Sequence, residues 1–112
     1  MAGLNCGEVS LAAWPILRRG VDLFLTIEDG WAARAMRALA APVGSDPAIV
    51  AGESGAAGLG GVLALVGDPS LAAARSFLDL DLRSRILVVN TEGATDPAGY
   101  DRIVGDSPLP QE

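Results

Sequence analysis

The stretch Arg85-Ile86-Leu87-Val88-Val89-Asn90, running on into Thr91-Glu92-Gly93-Ala94-Thr95-Asp96, decides how the fold is read. An unbroken Ile-Leu-Val-Val run describes a strand covered on both faces, as at the centre of a parallel sheet. The loop after it lies at that strand's carboxyl end, where open α/β sheets hold their ligands. It offers the hydroxyls of Thr91 and Thr95, the carboxylates of Glu92 and Asp96, and Gly93, which permits close backbone approach. The plainer alternative is a strand-to-helix turn in which Thr95 or Asp96 caps a short helix over 98–104.

Upstream of that stretch the signals alternate. Residues 1–7 read as a loop, and Ser10 is an N-cap candidate for a helix to about Arg19, with Pro15 tolerated only near its first turn or at a kink and Gly20 at its end. In 21–27, Leu23, Leu25 and Ile27 alternate with Asp22, Phe24 and Thr26, the period of a short strand. Asp29 caps a helix over 31–41 that puts Trp31, Ala35, Met36 and Leu39 on one face and turns Arg34 and Arg37 outward, until Pro42 stops it. Residues 43–47 are turn chemistry and 48–51 a short extended segment. Gly55 to Val66 is apolar on every side, the mark of a helix buried all round. Asp68-Pro69-Ser70 opens a helix over 71–78, and the Pro-rich tail, 105–112, frays. The alternation predicts an α/β class with an incomplete parallel sheet flanked by helices. Two strands make a poor sheet, and both the apolar helix and the central-type strand need partners this chain does not supply. Residues 1–112 therefore read as one piece of a larger domain.

The composition narrows the chemistry. Half of the 112 residues are hydrophobic but only 4% are aromatic, so a core built largely on Ala and Gly buries little area per residue. The net charge of −6 argues against nucleic acid and against an anionic membrane surface. All eight basic residues are arginine, and there is neither lysine nor histidine. Arginine hardly ever deprotonates, so the two commonest nitrogen bases of catalysis are missing. Cys6 is alone, which excludes an internal disulfide and a cysteine metal cluster and fits a reducing, cytoplasmic setting. Leu4-Asn5-Cys6 lacks the basic and apolar regions that would precede a lipoprotein cleavage site. The longest apolar run, 55–67, falls short of the ~18 residues of a membrane span.

The segment Ala51-Gly52-Glu53-Ser54-Gly55-Ala56-Ala57-Gly58-Leu59-Gly60-Gly61 looks like a phosphate cradle but has no P-loop lysine and no strong preceding strand. Gly58, Gly60 and Gly61 are better read as places where a helix packs against backbone. Glu53 is the exception, a carboxylate at the positive end of an apolar helix.

Together, MAGLNCGE (1–8), EDGWAARAMRAL (28–39), GSDPAIVAGESGAAGLG (44–60) and VVNTEGATD (88–96) resemble diaminopropionate ammonia-lyases, members of the tryptophan-synthase-β-like, fold-type-II group of pyridoxal-phosphate enzymes. Four stretches in the family's order and spacing are specific, and they correspond to roughly the last third of a full-length member. The resemblance implies a pyridoxal 5'-phosphate cofactor and an elimination that takes 2,3-diaminopropionate to pyruvate and ammonia. It implies that Thr91 meets the cofactor's pyridine nitrogen, that Glu53 lies close to the cofactor, and that Gly3 and Leu4 border its pocket. The Schiff-base lysine, the proton-shuttling acids and the phosphate loop lie upstream in the family, so no catalytic residue is expected here and the chain is expected to be inactive alone. The implied partners are a small amino-acid substrate and the missing amino-terminal part of the same enzyme, a homodimer when complete. Val9 replaces a usual proline, and Ala94 a usual acid, a change that bears on substrate preference. The alternatives are a fragment of a serine- or threonine-dehydratase-like enzyme and a non-catalytic α/β binding module.

Overall fold

A computed structural model describes residues 1–105. The expected frayed tail lies outside the described residues except for Gly105, which ends a helix. Among the described residues five α-helices follow one another: α1 Trp14–Gly20, α2 Asp29–Ala40, α3 Glu53–Gly67, α4 Ala72–Phe77 and α5 Pro97–Gly105. Short 3₁₀ turns at Ala2–Leu4 and Pro69–Leu71 complete the regular structure, the first of them inside the stretch expected to be plain loop.

The helix boundaries follow local chemistry. Pro15 sits in the first turn of α1, where a missing N–H costs nothing, and the Ser10 hydroxyl accepts from the Ala13 N–H at 3.3 Å just before it. α2 stops at Ala40, two residues before Pro42. Gly44 takes a φ of 72° in the turn that follows, a conformation open to glycine. The Asp68 carboxylate accepts from the Ser70 N–H at 2.8 Å, opening the 3₁₀ turn that leads into α4.

α2, α3 and α5 meet around Ala35, Met36, Ala51 and Ala56, with Leu39, Leu59, Leu63, Tyr100, Ile103 and Val104 packed on this cluster. Met36 is the largest fully buried side chain, so the core is as slight as the Ala-rich composition implies. Where α3 crosses α2, a Cβ on Gly60 would stand 3.1 Å from the Trp31 carbonyl. Arg37 does not look outward: it is half-buried, and its Nε donates to the Ile103 carbonyl at 2.7 Å, tying α2 to the last turn of α5. Arg75 likewise donates to the Leu65 carbonyl at 3.0 Å near the end of α3. Each guanidinium satisfies a carbonyl that its own helix leaves without a partner.

The sheet is not formed. Among the described residues there is no strand, although 21–27 and 85–90 run without helix or strand pairing where strands were expected. The alternation in 21–27 is real: Leu23, Leu25 and Ile27 are half-buried while Asp22, Phe24 and Thr26 are exposed. A ladder needs a second backbone beside it, and none of the described segments provides one. The run 86–89 is open for the same reason, with Leu87 89% exposed. α3 is also not buried all round, since Val66 is 64% exposed. The radius of gyration, 15.1 Å, exceeds the about 13 Å of a compact domain of this length.

Candidate functional site

The site is built on the amino end of α3. Its N-cap is Gly52, which has no side chain to satisfy the free N–H groups of the first turn. The satisfaction comes from a residue 38 positions away: Glu92 Oε2 accepts from the Ser54 N–H at 3.0 Å and from the Ser54 hydroxyl at 2.5 Å. The other carboxylate oxygen accepts from the Thr95 hydroxyl. The Gly52 N–H donates to the Glu92 carbonyl at 3.0 Å, so backbone and side chain of one residue both hold the helix end. Hydrogen bonds from the Ser54 and Thr95 hydroxyls, then from the Ser54 N–H, keep the Glu92 carboxyl below its usual range, against a small opposing effect of burial.

The glycines make this approach possible. A Cβ on Gly55 would overlap the Asn90 side chain and the Glu92 carbonyl, and one on Gly52 would overlap the Gly93 carbonyl. A Cβ on Gly58 would come within 2.8 Å of Val88. Glycine three residues apart thus lays one side of α3 against 88–93, without room for a methyl group. Asn90 fastens the other end of the loop, its Nδ2 donating to the Val50 carbonyl at 3.1 Å and its Oδ1 accepting from the Glu92 N–H at 3.2 Å.

A cavity of about 130 Å³ opens beside this seam, with Gly3, Glu53, Glu92, Ala94, Thr95 and Tyr100 among its walls. Glu53 is the first residue of α3, and its Oε2 accepts from the Gly3 N–H at 2.9 Å. The amino-terminal turn and the helix end are thereby joined. Asp96 caps α5, accepting from the Gly99 N–H at 3.0 Å, so the plainer reading of that residue also holds. No group of three or more metal-ligating side chains occurs among the described residues, and no single helix there is long and apolar enough to cross a membrane. Cys6 is exposed and free.

Of the residues singled out from sequence, Gly3 and Glu53 meet at the cavity. Thr91 is exposed and precedes the lining residue Glu92 without being part of the wall, and Leu4 is half-buried away from it. Sequence reading missed Ser54, Tyr100 and the capping role of Glu92. The available signal was the glycine at the head of α3, which left a helix start in need of an outside acceptor.

Diaminopropionate ammonia-lyase of Escherichia coli K12 is 42% identical over 104 residues, which are 93% of this chain and 26% of the relative. The Salmonella typhimurium enzyme is 40% identical over 105 residues. The crystal structure of the E. coli enzyme in complex with D-serine superposes with a TM-score of 0.82 over 93% of this chain and 27% of that one. The chain is similar to the carboxy-terminal part of diaminopropionate ammonia-lyase. The E. coli ammonia-lyase in complex with an aminoacrylate-PLP azomethine reaction intermediate matches equally, at 0.82 and 42% identity over 93% of this chain and 28% of that one. No family model matches. The chain spans about a quarter of the length of the ammonia-lyases it matches, 26%, somewhat less than the third expected.

Proposed function

We propose that this chain forms the carboxy-terminal part of a pyridoxal-phosphate-dependent ammonia-lyase that takes 2,3-diaminopropionate to pyruvate and ammonia, and that it acts only together with an amino-terminal part of the same enzyme. The observation that carries the proposal is the joint match in sequence and fold to diaminopropionate ammonia-lyase, 42% identity with a TM-score of 0.82 over 93% of the chain. The complete enzyme would be a cytoplasmic homodimer that binds neither membrane nor nucleic acid.

The residues present fit one side of the cofactor. The Thr91 hydroxyl is exposed and makes no hydrogen bond among the described residues, which leaves it available to the pyridine nitrogen. A neutral hydroxyl does not hold that nitrogen protonated as an aspartate would. The electron sink is then milder, a setting that favours elimination over transamination. Glu53 and Gly3 meet at the neighbouring cavity, with Glu53 anchored on the Gly3 N–H, and Leu4 follows Gly3 in the amino-terminal turn. When bound, pyridoxal phosphate supplies the electron withdrawal that lets an α-proton and a β-amino group depart. The amine that anchors it must come from outside this sequence, which has no lysine. Ala94 lines the cavity where the family usually carries an acid, so it bears on which amino acid is accepted.

The assay is release of pyruvate from 2,3-diaminopropionate, in both isomers, and from serine, and of 2-oxobutyrate from threonine. The purified chain with pyridoxal phosphate is expected to release none and to trap no cofactor on borohydride treatment. Co-expression with the amino-terminal three-quarters of the E. coli enzyme is expected to restore release from 2,3-diaminopropionate, and Thr91→Ala to reduce it. Pyruvate from the isolated chain, or a two-piece assembly that acts only on serine or threonine or not at all, would overturn the proposal.

A further inference from the structure

We infer that Glu92 is a positioning residue: its carboxylate latches the 90–96 loop onto the first turn of α3 and so holds the Thr91 hydroxyl in a fixed place. The role of Thr91 rests on the function proposed above, whereas the latch stands on contacts within this chain.

Four contacts define the latch. Glu92 accepts from the Ser54 N–H, the Ser54 hydroxyl and the Thr95 hydroxyl, and its carbonyl accepts from the Gly52 N–H. An anion at this end of α3 is favoured both by the free N–H groups and by the helix dipole. Thr91 is bracketed: Asn90 on one side is tied to the Val50 carbonyl, and Glu92 on the other to α3. Its own hydroxyl has no partner among the described residues. A held backbone with an unengaged side chain is how a preorganised contact is presented to a ligand. The chemistry also selects glutamate. Glutamine keeps one acceptor oxygen for the Ser54 donors but turns an NH2 toward the Thr95 hydroxyl and brings no negative charge to the helix end, so it loses the charge-assisted part of the latch. Glu53, Asp96 and Tyr100 face the same cavity, and none of them donates to Glu92 among the described contacts.

The test uses the full chain, isotopically labelled, in solution. The Glu92 carboxyl carbon is expected to titrate below the ordinary glutamate value of about 4.3. In Glu92→Gln the Thr91 amide order parameter is expected to fall below about 0.6, the range of a flexible segment, while Leu39 and Leu59 in the core keep theirs. Glu92→Asp, which keeps two acceptor oxygens, is expected to recover part of the order. An ordinary Glu92 titration, which an unfolded chain would also give, or an unchanged Thr91 in Glu92→Gln, would overturn the latch. Bound-cofactor absorbance in the two-piece assembly separates the two proposals. A spectrum indifferent to Thr91→Ala, with the latch intact, removes the cofactor role of Thr91 and leaves Glu92 as a loop anchor.

Discussion

The seam between α3 and the 90–96 loop and the run 86–89 that leads into it are neighbours in sequence and opposites in structure. In the seam, Gly52, Gly55 and Ala56 are buried and the polar groups of Glu92, Ser54 and Thr95 satisfy one another. Along the run, Ile86, Leu87 and Val89 are 47%, 89% and 68% exposed, and no backbone pairs with them among the described residues. The difference shows what each needs. A helix end and a loop can complete each other with glycines and one carboxylate, whereas an extended apolar run is paired only by a second backbone beside it.

The comparison breaks most visibly if a missing partner is restored. With the amino-terminal part of the E. coli enzyme bound, amide exchange over 86–89 is expected to slow on the order of a hundredfold or more, while amides 54–56 change far less. Fast exchange at 86–89 in the assembly would mean that this run is not a strand in waiting. Next in size is Gly55→Ala, whose methyl group would overlap Asn90 and Glu92. It is expected to cost about 1–3 kcal/mol in urea unfolding of the chain. Asp96→Ala removes the cap on the Gly99 N–H and is expected to cost about 1 kcal/mol, read in the same way. Gly30→Ala sharpens the contrast: a Cβ there meets nothing within 4 Å inside α2, and a gain of about 0.4–1 kcal/mol is expected.

The smallest effect is that of acid. The folded-state pKa values of Glu92 and Asp68 lie below their ordinary values, through hydrogen bonds from Ser54 and from Ser70 respectively. Their contribution to stability is therefore present above the unfolded values, about 4.3 and 3.9, and is lost as pH falls through the lower folded ones. Both residues are half-buried and still reached by water, which screens them, so the slope is shallow. Glu92→Gln is expected to flatten part of it, and unfolding midpoints measured between pH 3 and 6 would show whether it does.

The helices were legible because their signals are local. The 3.6-residue face of α2 and the punctuation by Pro15, Pro42 and Asp68 need no knowledge of the rest of the molecule. The inward face of 21–27 was legible too, as half-buried Leu23, Leu25 and Ile27 show, but its pairing was not, because pairing belongs to two segments at once. The same division runs through the site. Glu53 and Gly3 were found through short motifs, and the structure joins them. The cap on α3 comes from 38 residues downstream, a distance at which no short-range rule operates. Arg37 was misread for the same reason, since its acceptor, the Ile103 carbonyl, lies 66 residues on.

The bare Ile86-Leu87-Val88-Val89 run has a consequence for the life of the polypeptide. An extended apolar segment with unpaired backbone is a template on which copies of the same chain stack, and also what chaperones and proteases seize. Synthesised in isolation, the chain competes between self-association and clearance. The chain produced alone is therefore expected to be less soluble than the chain co-expressed with the amino-terminal part proposed above.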